Sequence, residues 1–300
     1  MKYIHTFWSK PLYKNKFNKF NACLDAILSD YAYSANCIHK LNRKIVLFTD
    51  KIGAELLSFI DYDDVVILND IDNFSEHFAA QLKFIALEHC DLGDVIIDGD
   101  LFIRKINALE IIEGADVDCV YSFYEPCEYT LRGDMQEYYK KLLTTMNKYE
   151  YKYPYHLPIN WKDLQWMNTS LMKINNKELK DEYIRQYKHH KSMLEHEEYG
   201  KEWPDIIIEQ YFLTLLCNTK FTTKAVIENF WFDENANDYA LDIGFTHLGS
   251  SKISCQPWVC SMLKEENAYL YYLYKAQFEK YKDISEIDNK NVNNKNETQS

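Results

Sequence analysis

Two hydrophobic patterns alternate along the first half of the chain. Short, continuously apolar runs occur over 2–7, at Ile45-Val46-Leu47-Phe48, at Val65-Val66-Ile67-Leu68, and at Val95-Ile96-Ile97 between Asp94 and Asp98. Between them, apolar residues recur every three or four positions. Phe20, Leu24, Ile27, Leu28 and Tyr31 mark a helix over 17–41, a short helix covers 52–60, and Phe78, Leu82, Ile85 and Ala86 share one face of a helix over 76–89. Strands that are apolar throughout and separated by helices predict an α/β class, with a mostly parallel, Rossmann-like sheet flanked by helices on both faces.

The second half is less regular. A further strand is predicted over 119–123 and another over 167–174. Pro154 and Pro158 among aromatics mark 152–162 as an irregular loop. A charged helix is predicted over 177–199, a helix with an apolar face over 205–216, and a single helix with an aromatic stripe over 259–281. The segment 285–300 is Asn, Lys, Glu and Ser with almost no apolar residue, and is predicted to be a disordered tail behind one domain spanning 1–284. No internal repeat is present.

The 300 residues, 47% hydrophobic and 27% charged, suffice for a sizeable core. The 24 tyrosines suit sugar-binding clefts, although packing explains them as well. A formal net charge of −12 argues against nucleic acid as a partner and against anionic membrane surfaces. A nucleotide would need a local device, such as a metal ion or a helix N-terminus. None of the eight cysteines forms a Cys-x-x-Cys pair, and several lie in apolar runs, which suggests free thiols and a reducing, cytoplasmic location. Met1-Lys2-Tyr3-Ile4-His5 has no apolar core or small-residue cleavage site and is expected not to be a signal peptide. No run approaches the roughly 18 apolar residues of a membrane span, which leaves peripheral association as the expected limit of membrane contact.

The strongest chemical signal is Asp98-Gly99-Asp100. In open α/β sheets, ligands bind beyond the carboxyl ends of the strands, where this triplet falls. Two carboxylates one residue apart can turn towards a single hard divalent cation if the glycine lets the chain bend. The plainer alternative is an exposed Asp-Gly hairpin turn. The fully apolar strand before the triplet, and Leu101-Phe102-Ile103 after it, favour the metal reading, because unpartnered buried carboxylates are costly.

Three later segments stand in a telling order. They are Trp166-Met167-Asn168-Thr169-Ser170-Leu171-Met172-Lys173-Ile174-Asn175, Glu209-Gln210, and Thr246-His247-Leu248-Gly249-Ser250-Ser251-Lys252. With the Asp-x-Asp triplet, this order resembles the GT-A glycosyltransferases, most closely glycosyltransferase family 8, loosely over 1–260. The resemblance implies a nucleotide-sugar-binding half over 1–125 and an acceptor half with the C-terminal helix over 126–284. It implies Mn²⁺ or Mg²⁺ on Asp98, Asp100 and His247, with Gly249 and Lys252 at the diphosphate. Asn168 and Thr169 would contact sugar, and Gln210, with Glu209 beside it, would lie beneath the anomeric carbon as the catalytic pair. The loops carrying His5, Thr6, Trp8 and Asp50 would hold base and ribose.

Each residue has a plainer reading. His247 would be a buried core histidine, Lys252 a surface lysine, Trp8 a packing residue, and Glu209 and Gln210 exposed helix residues. Lys83, a possible phosphate or ribose contact, is expected on the solvated face of its helix. The chain also departs from the family pattern. Ser170 stands where the family has Gly, Glu209 stands where it has Asp, and the Lys-Pro-Trp that often closes the His segment is absent.

The function so implied is transfer of a sugar from a nucleotide-diphosphate donor, most simply a UDP-sugar, to a hydroxyl of a glycan acceptor, with surface-polysaccharide synthesis as the expected setting. The alternatives are a non-catalytic binder on a degenerate scaffold or a sugar nucleotidyltransferase. The latter would want a Gly-rich, Arg-containing loop after the first strand, where His5-Thr6-Phe7-Trp8 stands. A haloacid-dehalogenase-like phosphohydrolase would place its Asp pair after the first strand, not the fourth.

Overall fold

A computed structural model describes residues 1–13, 20–69, 71, 80–126, 165–194, 207–230 and 233–282. The predicted loop over 152–162, parts of the helices over 76–89, 177–199 and 205–216, and the tail over 285–300 lie outside the described residues.

The strands, in chain order, are β1 (Tyr3–Phe7), β2 (Ile45–Thr49), β3 (Asp64–Ile67), β4 (Val95–Ile97), β5 (Leu101–Ile103), β6 (Cys119–Tyr121), β7 (Tyr124–Pro126), β8 (Gln165–Met167), β9 (Leu171–Ile174), β10 (Thr223–Ala225) and β11 (Phe245–His247). Seven of them form one sheet in the order β10-β6-β9-β4-β1-β2-β3. All run the same way except β9, which is antiparallel to both β4 and β6. Two short antiparallel ribbons, β5 with β11 and β7 with β8, stand beside the sheet.

Side chains alternate across β1, so Tyr3 packs into one buried cluster and Ile4 into the other. The first cluster lies under the helices Phe20–Lys40, Ile106–Glu113, Lys252–Glu266 and Ala268–Tyr281. The second lies under Gln81–His89, Lys177–Leu194 and Phe212–Lys220. This is the expected α/β architecture with helices on both faces.

Four details depart from the sequence reading. The strand expected over 167–174 is two strands, because Asn168-Thr169-Ser170 turns between β8 and β9. The edge strand β3 leaves Val65 and Ile67 exposed and is not buried on both faces. The described part of the helix expected over 205–216 opens with a π-helical turn, Ile207–Tyr211, before Phe212–Lys220. The single C-terminal helix is two, because Asn267 at φ −153° ends Lys252–Glu266 while its side chain accepts from the Leu270 N–H and caps Ala268–Tyr281. The seven described cysteines are free thiols, five of them buried. No helix among the described residues is long and apolar enough to cross a membrane.

The reversed strand β9 is anchored by a buried lysine. Lys173 is 3% exposed, and its ammonium donates to the carbonyls of Ile112 (3.0 Å) and Glu113 (3.1 Å). These are orphan acceptors at the end of the helix Ile106–Glu113, where positive charge also meets the negative end of the helix dipole. Arg43 Nε and Nη2 grip the Glu113 carboxylate at 2.7 and 2.9 Å and tie the same helix end to the start of β2. We expect Lys173→Met, which keeps the stem but removes the donors, to cost about 1–3 kcal/mol. A urea-unfolding midpoint unchanged from the parent chain would refute this anchoring role.

Candidate metal site at the rim of the sheet

The carboxyl ends of the parallel strands meet the start of the reversed β9 at one rim, so Asp98 and the turn Asn168-Thr169-Ser170 become neighbours. The Asp98 N–H donates to Ser170 O at 2.8 Å, and the Leu101 N–H closes the turn onto Asp98 O at 3.1 Å. Gly99 in this turn lies against the ring of Tyr31. A Cβ there would sit 2.2 Å from Tyr31 Cε2, so no other residue lets the chain pass so close. Tyr31 is fixed in turn by donating to Thr6 O at 2.6 Å.

The chain leaves the turn as β5 and pairs with β11, with Leu101 opposite His247. The ladder continues through Leu248 N to Asp100 O at 3.1 Å, and the Gly249 N–H then donates to Asp100 Oδ2 at 3.0 Å. Gly249 has φ +54°, which favours glycine and turns its N–H onto the carboxylate. His247 Nε2 stands 3.5 Å, and Lys252 Nζ 3.3 Å, from the same Oδ2. One ligand atom each from Asp98, Asp100 and His247 lies within 4.8 Å of the others. Among the described residues no other three His, Cys, Asp or Glu side chains do so.

The donor set suits a divalent cation such as Mn²⁺ or Mg²⁺, with two carboxylates and an imidazole from segments nearly 150 positions apart. Asp100 Oδ1 is buried without a hydrogen-bond partner among the described residues, an acceptor that fits the ligand set of a cation. Burial alone would raise the Asp100 pKa, but Lys252 and His247 outweigh it and hold the carboxylate below its usual range. Burial would lower Lys252, and Asp100, Asp98 and Asp30 instead raise it.

A second cluster shares Asp98. Lys83 Nζ lies 2.8 Å from Asp98 Oδ1 and 2.7 Å from Glu209 Oε1, and donates to Thr169 O at 3.2 Å. Thr169 Oγ1 donates to the same Glu209 oxygen at 2.6 Å. Lys83 is therefore not on a solvated helix face. Its side chain is 12% exposed and bridges two acids, one of which lies 126 positions further along the chain. Burial raises the Glu209 pKa, and Asp98 adds to the rise against the pull of Lys83. Glu209 and Gln210 sit on the π-helical turn, with Glu209 buried and not on an exposed helix face. The Gln210 Oε1 is buried without a partner among the described residues. Asn168 is taken at both ends, accepting from Ser170 N at 3.0 Å and donating to Glu125 at 2.7 Å.

Other candidates are spent elsewhere. His5 is fully buried, with Nδ1 2.9 Å from the Tyr62 hydroxyl and Nε2 3.0 Å from Ser34 Oγ. Burial pushes its pKa down to about 3, so it is a neutral core histidine with no ring nitrogen left for a nucleotide. Asp50 caps the helix Lys51–Leu56 through Gly53 N at 2.9 Å and accepts from Ser9. Thr6 lies on β1, where its carbonyl receives Tyr31. Trp8 is buried against Ile71 and Leu82, and its indole N–H has no partner among the described residues. Two functional neighbours escaped the sequence reading. Glu125 holds Asn168, and Asp30 is a buried acid whose pKa burial raises to about 8, Asp100 adding and Lys252 opposing. A polar Asp among the apolar helical positions of 20–40 was the available signal.

A cavity of about 480 Å³ opens beside His247, lined by Phe123, Glu125, Phe230 and Phe245 among others. Phe123 and Phe230 stack at 4.6 Å between ring centroids.

The bridging role of Lys83 has a direct test. Lys83→Met leaves Glu209 buried without its cation, which we expect to cost about 3 kcal/mol or more, and Lys83→Met with Glu209→Gln should recover most of it. Additive losses in the double variant, read by urea unfolding, would contradict the bridge.

No protein-family profile matches the sequence, and no curated protein matches it. Among solved structures, the chain is similar to the galactosyltransferase LgtC, crystallised with donor and acceptor sugar analogues. The identity is 13%, over 75% of this chain and 73% of that one, with a TM-score of 0.39. So distant a likeness carries no argument about chemistry, and the function must be read from the site.

Proposed function

We propose that the chain is a metal-dependent glycosyltransferase that takes a nucleotide-diphosphate sugar, most simply a UDP-sugar, and transfers the sugar to a hydroxyl of a glycan acceptor. The observation that carries this reading is the convergence of Asp98, Asp100 and His247 at the carboxyl rim of a mostly parallel sheet, with a lysine and a glycine N–H on the same carboxylate. The order of these residues along the chain, which resembles glycosyltransferase family 8, agrees with it.

In this reading Asp98, Asp100 and His247 would hold Mn²⁺ or Mg²⁺, which supplies Lewis-acid neutralisation of the leaving diphosphate when bound. Lys252, at the exposed end of the cluster, would place an ammonium against the diphosphate. In the reaction the bond from the anomeric carbon to the diphosphate oxygen breaks, and its electron pair stays on the diphosphate. A new bond forms to the acceptor oxygen, whose proton passes to the departing phosphate or to water. The unpartnered Gln210 Oε1 supplies an acceptor for a sugar hydroxyl. Glu209, tied to Lys83 and Thr169, orients that turn and keeps negative charge near the positive character that develops at the anomeric carbon. The cavity beside His247, with stacked Phe123 and Phe230 and the carboxylate of Glu125, suits the apolar face and hydroxyls of an acceptor sugar.

The test is calorimetric titration of UDP with and without Mn²⁺. We expect UDP binding to require the metal and Asp100→Asn to abolish that linkage, with hydrolysis of the matching UDP-sugar falling by about 100-fold or more. UDP binding that is indifferent to Mn²⁺ would favour a non-catalytic binder.

A further inference from the structure

The helix Phe20–Lys40 meets the Asp98-Gly99-Asp100 turn at two places on one face. Tyr31 holds its ring where a side chain at Gly99 would stand, and its hydroxyl donates to Thr6 O at 2.6 Å. The rings of His5 and Phe7 meet it edge-on, at 5.0 and 5.4 Å between centroids. One helical turn on, Ser34 is fully buried, and its Oγ donates to Leu101 O at 2.6 Å. Leu101 directly follows Asp100. Side chains three positions apart are neighbours on a helix, so a single face carries both contacts.

The second contact gives the hydrogen bonds around it a direction. A carbonyl only accepts, so the one Ser34 hydroxyl proton points to Leu101 O. His5 Nε2, 3.0 Å from the same Oγ, is then the donor to it. That leaves His5 Nδ1 to accept from the Tyr62 hydroxyl at 2.9 Å. The chain of bonds runs one way, from Tyr62 through His5 and Ser34 to Leu101 O. Ser29, also fully buried on this helix, bonds back to Ala26 O at 3.0 Å, as a helical serine ordinarily does. Ser34 instead spends its proton on the strand that leaves the turn.

We infer that Tyr31 and Ser34 are positioning residues for the metal-binding turn. The ring sets the path of the chain at Gly99, and the Ser34 hydroxyl, given its direction by His5, fixes the carbonyl after Asp100. Both carboxylates are thereby aimed at one cation by a helix that does not ligate it. This rests on the reading of Asp98, Asp100 and His247 as a cation site.

The experiment reads the Mn²⁺ affinity of the full chain by electron paramagnetic resonance of free Mn²⁺, beside the urea midpoint of each variant. Ser34→Ala should weaken Mn²⁺ binding by about tenfold, as loss of a partner behind a metal ligand does. Ser29→Ala should leave affinity within about twofold, whatever it does to the midpoint. Gly99→Ala should weaken binding by about tenfold in the parent chain, and by less than about twofold in a Tyr31→Ala background, where no ring meets the added methyl. NMR of the histidine ring nitrogens should show the His5 proton on Nε2. Equal affinity in Ser34→Ala and Ser29→Ala, equal losses from Gly99→Ala in both backgrounds, or a His5 proton on Nδ1 alone would each overturn the inference. If Ser34→Ala does not fold, Ser34→Cys, which keeps the shape with a weaker donor, is read in the same way. A parent chain that binds no Mn²⁺ overturns the cation site itself, and this inference with it. A parent chain that binds Mn²⁺, with affinity unmoved by Ser34→Ala and by Gly99→Ala, overturns the inference alone.

Discussion

The site depends on one short antiparallel ladder, Leu101–Ile103 against Phe245–His247. The sheet delivers Asp98 and Asp100 to its carboxyl rim but supplies no third ligand. The ladder does, because the register that sets Leu101 opposite His247 leaves the imidazole and the Gly249 N–H facing the carboxylate one residue earlier. A slip of one residue would turn His247 to the other face and part the ligands. Hydrogen bonds that join strands also position chemistry here, so the ladder couples folding to function.

Negative charge is the second constraint. Asp98, Asp100, Glu209 and Asp30 gather at one side of a chain whose net charge, these four included, is −12. Lys83 spans the gap between Asp98 and Glu209, and Lys252 stands on Asp100. A divalent cation adds positive charge where these two lysines leave Asp100 Oδ1 and Asp30 unmatched. The acidic character that argues against nucleic acid is thus concentrated where a cation would bridge the protein to an anionic nucleotide.

Much of the fold was legible because its signals are local. Four apolar residues in a row, as at Ile45-Val46-Leu47-Phe48, read as a strand whether it is central or, like β3, at an edge, and Asp98-Gly99-Asp100 stood out because it interrupts such a run. The direction of β9 was not legible, since a strand buried on both faces reads the same whichever way it runs. The break at Asn267 was hidden because apolar residues continue across it in both helices. Lys83 was misread because its partners lie on other elements, and one position on a helix does not reveal a buried acid across the rim. His5 lies in the middle of β1, opposite Leu47 and Ile97, and only the fold could show that Tyr62 and Ser34 occupy both its nitrogens.

The central claim is that Asp98, Asp100 and His247 bind one divalent cation together. Anomalous diffraction from crystals grown with Mn²⁺ tests it most directly. A single strong peak within about 2.0–2.3 Å of one oxygen of each aspartate and a nitrogen of His247 is expected. A peak elsewhere, or none at saturating Mn²⁺, would contradict it.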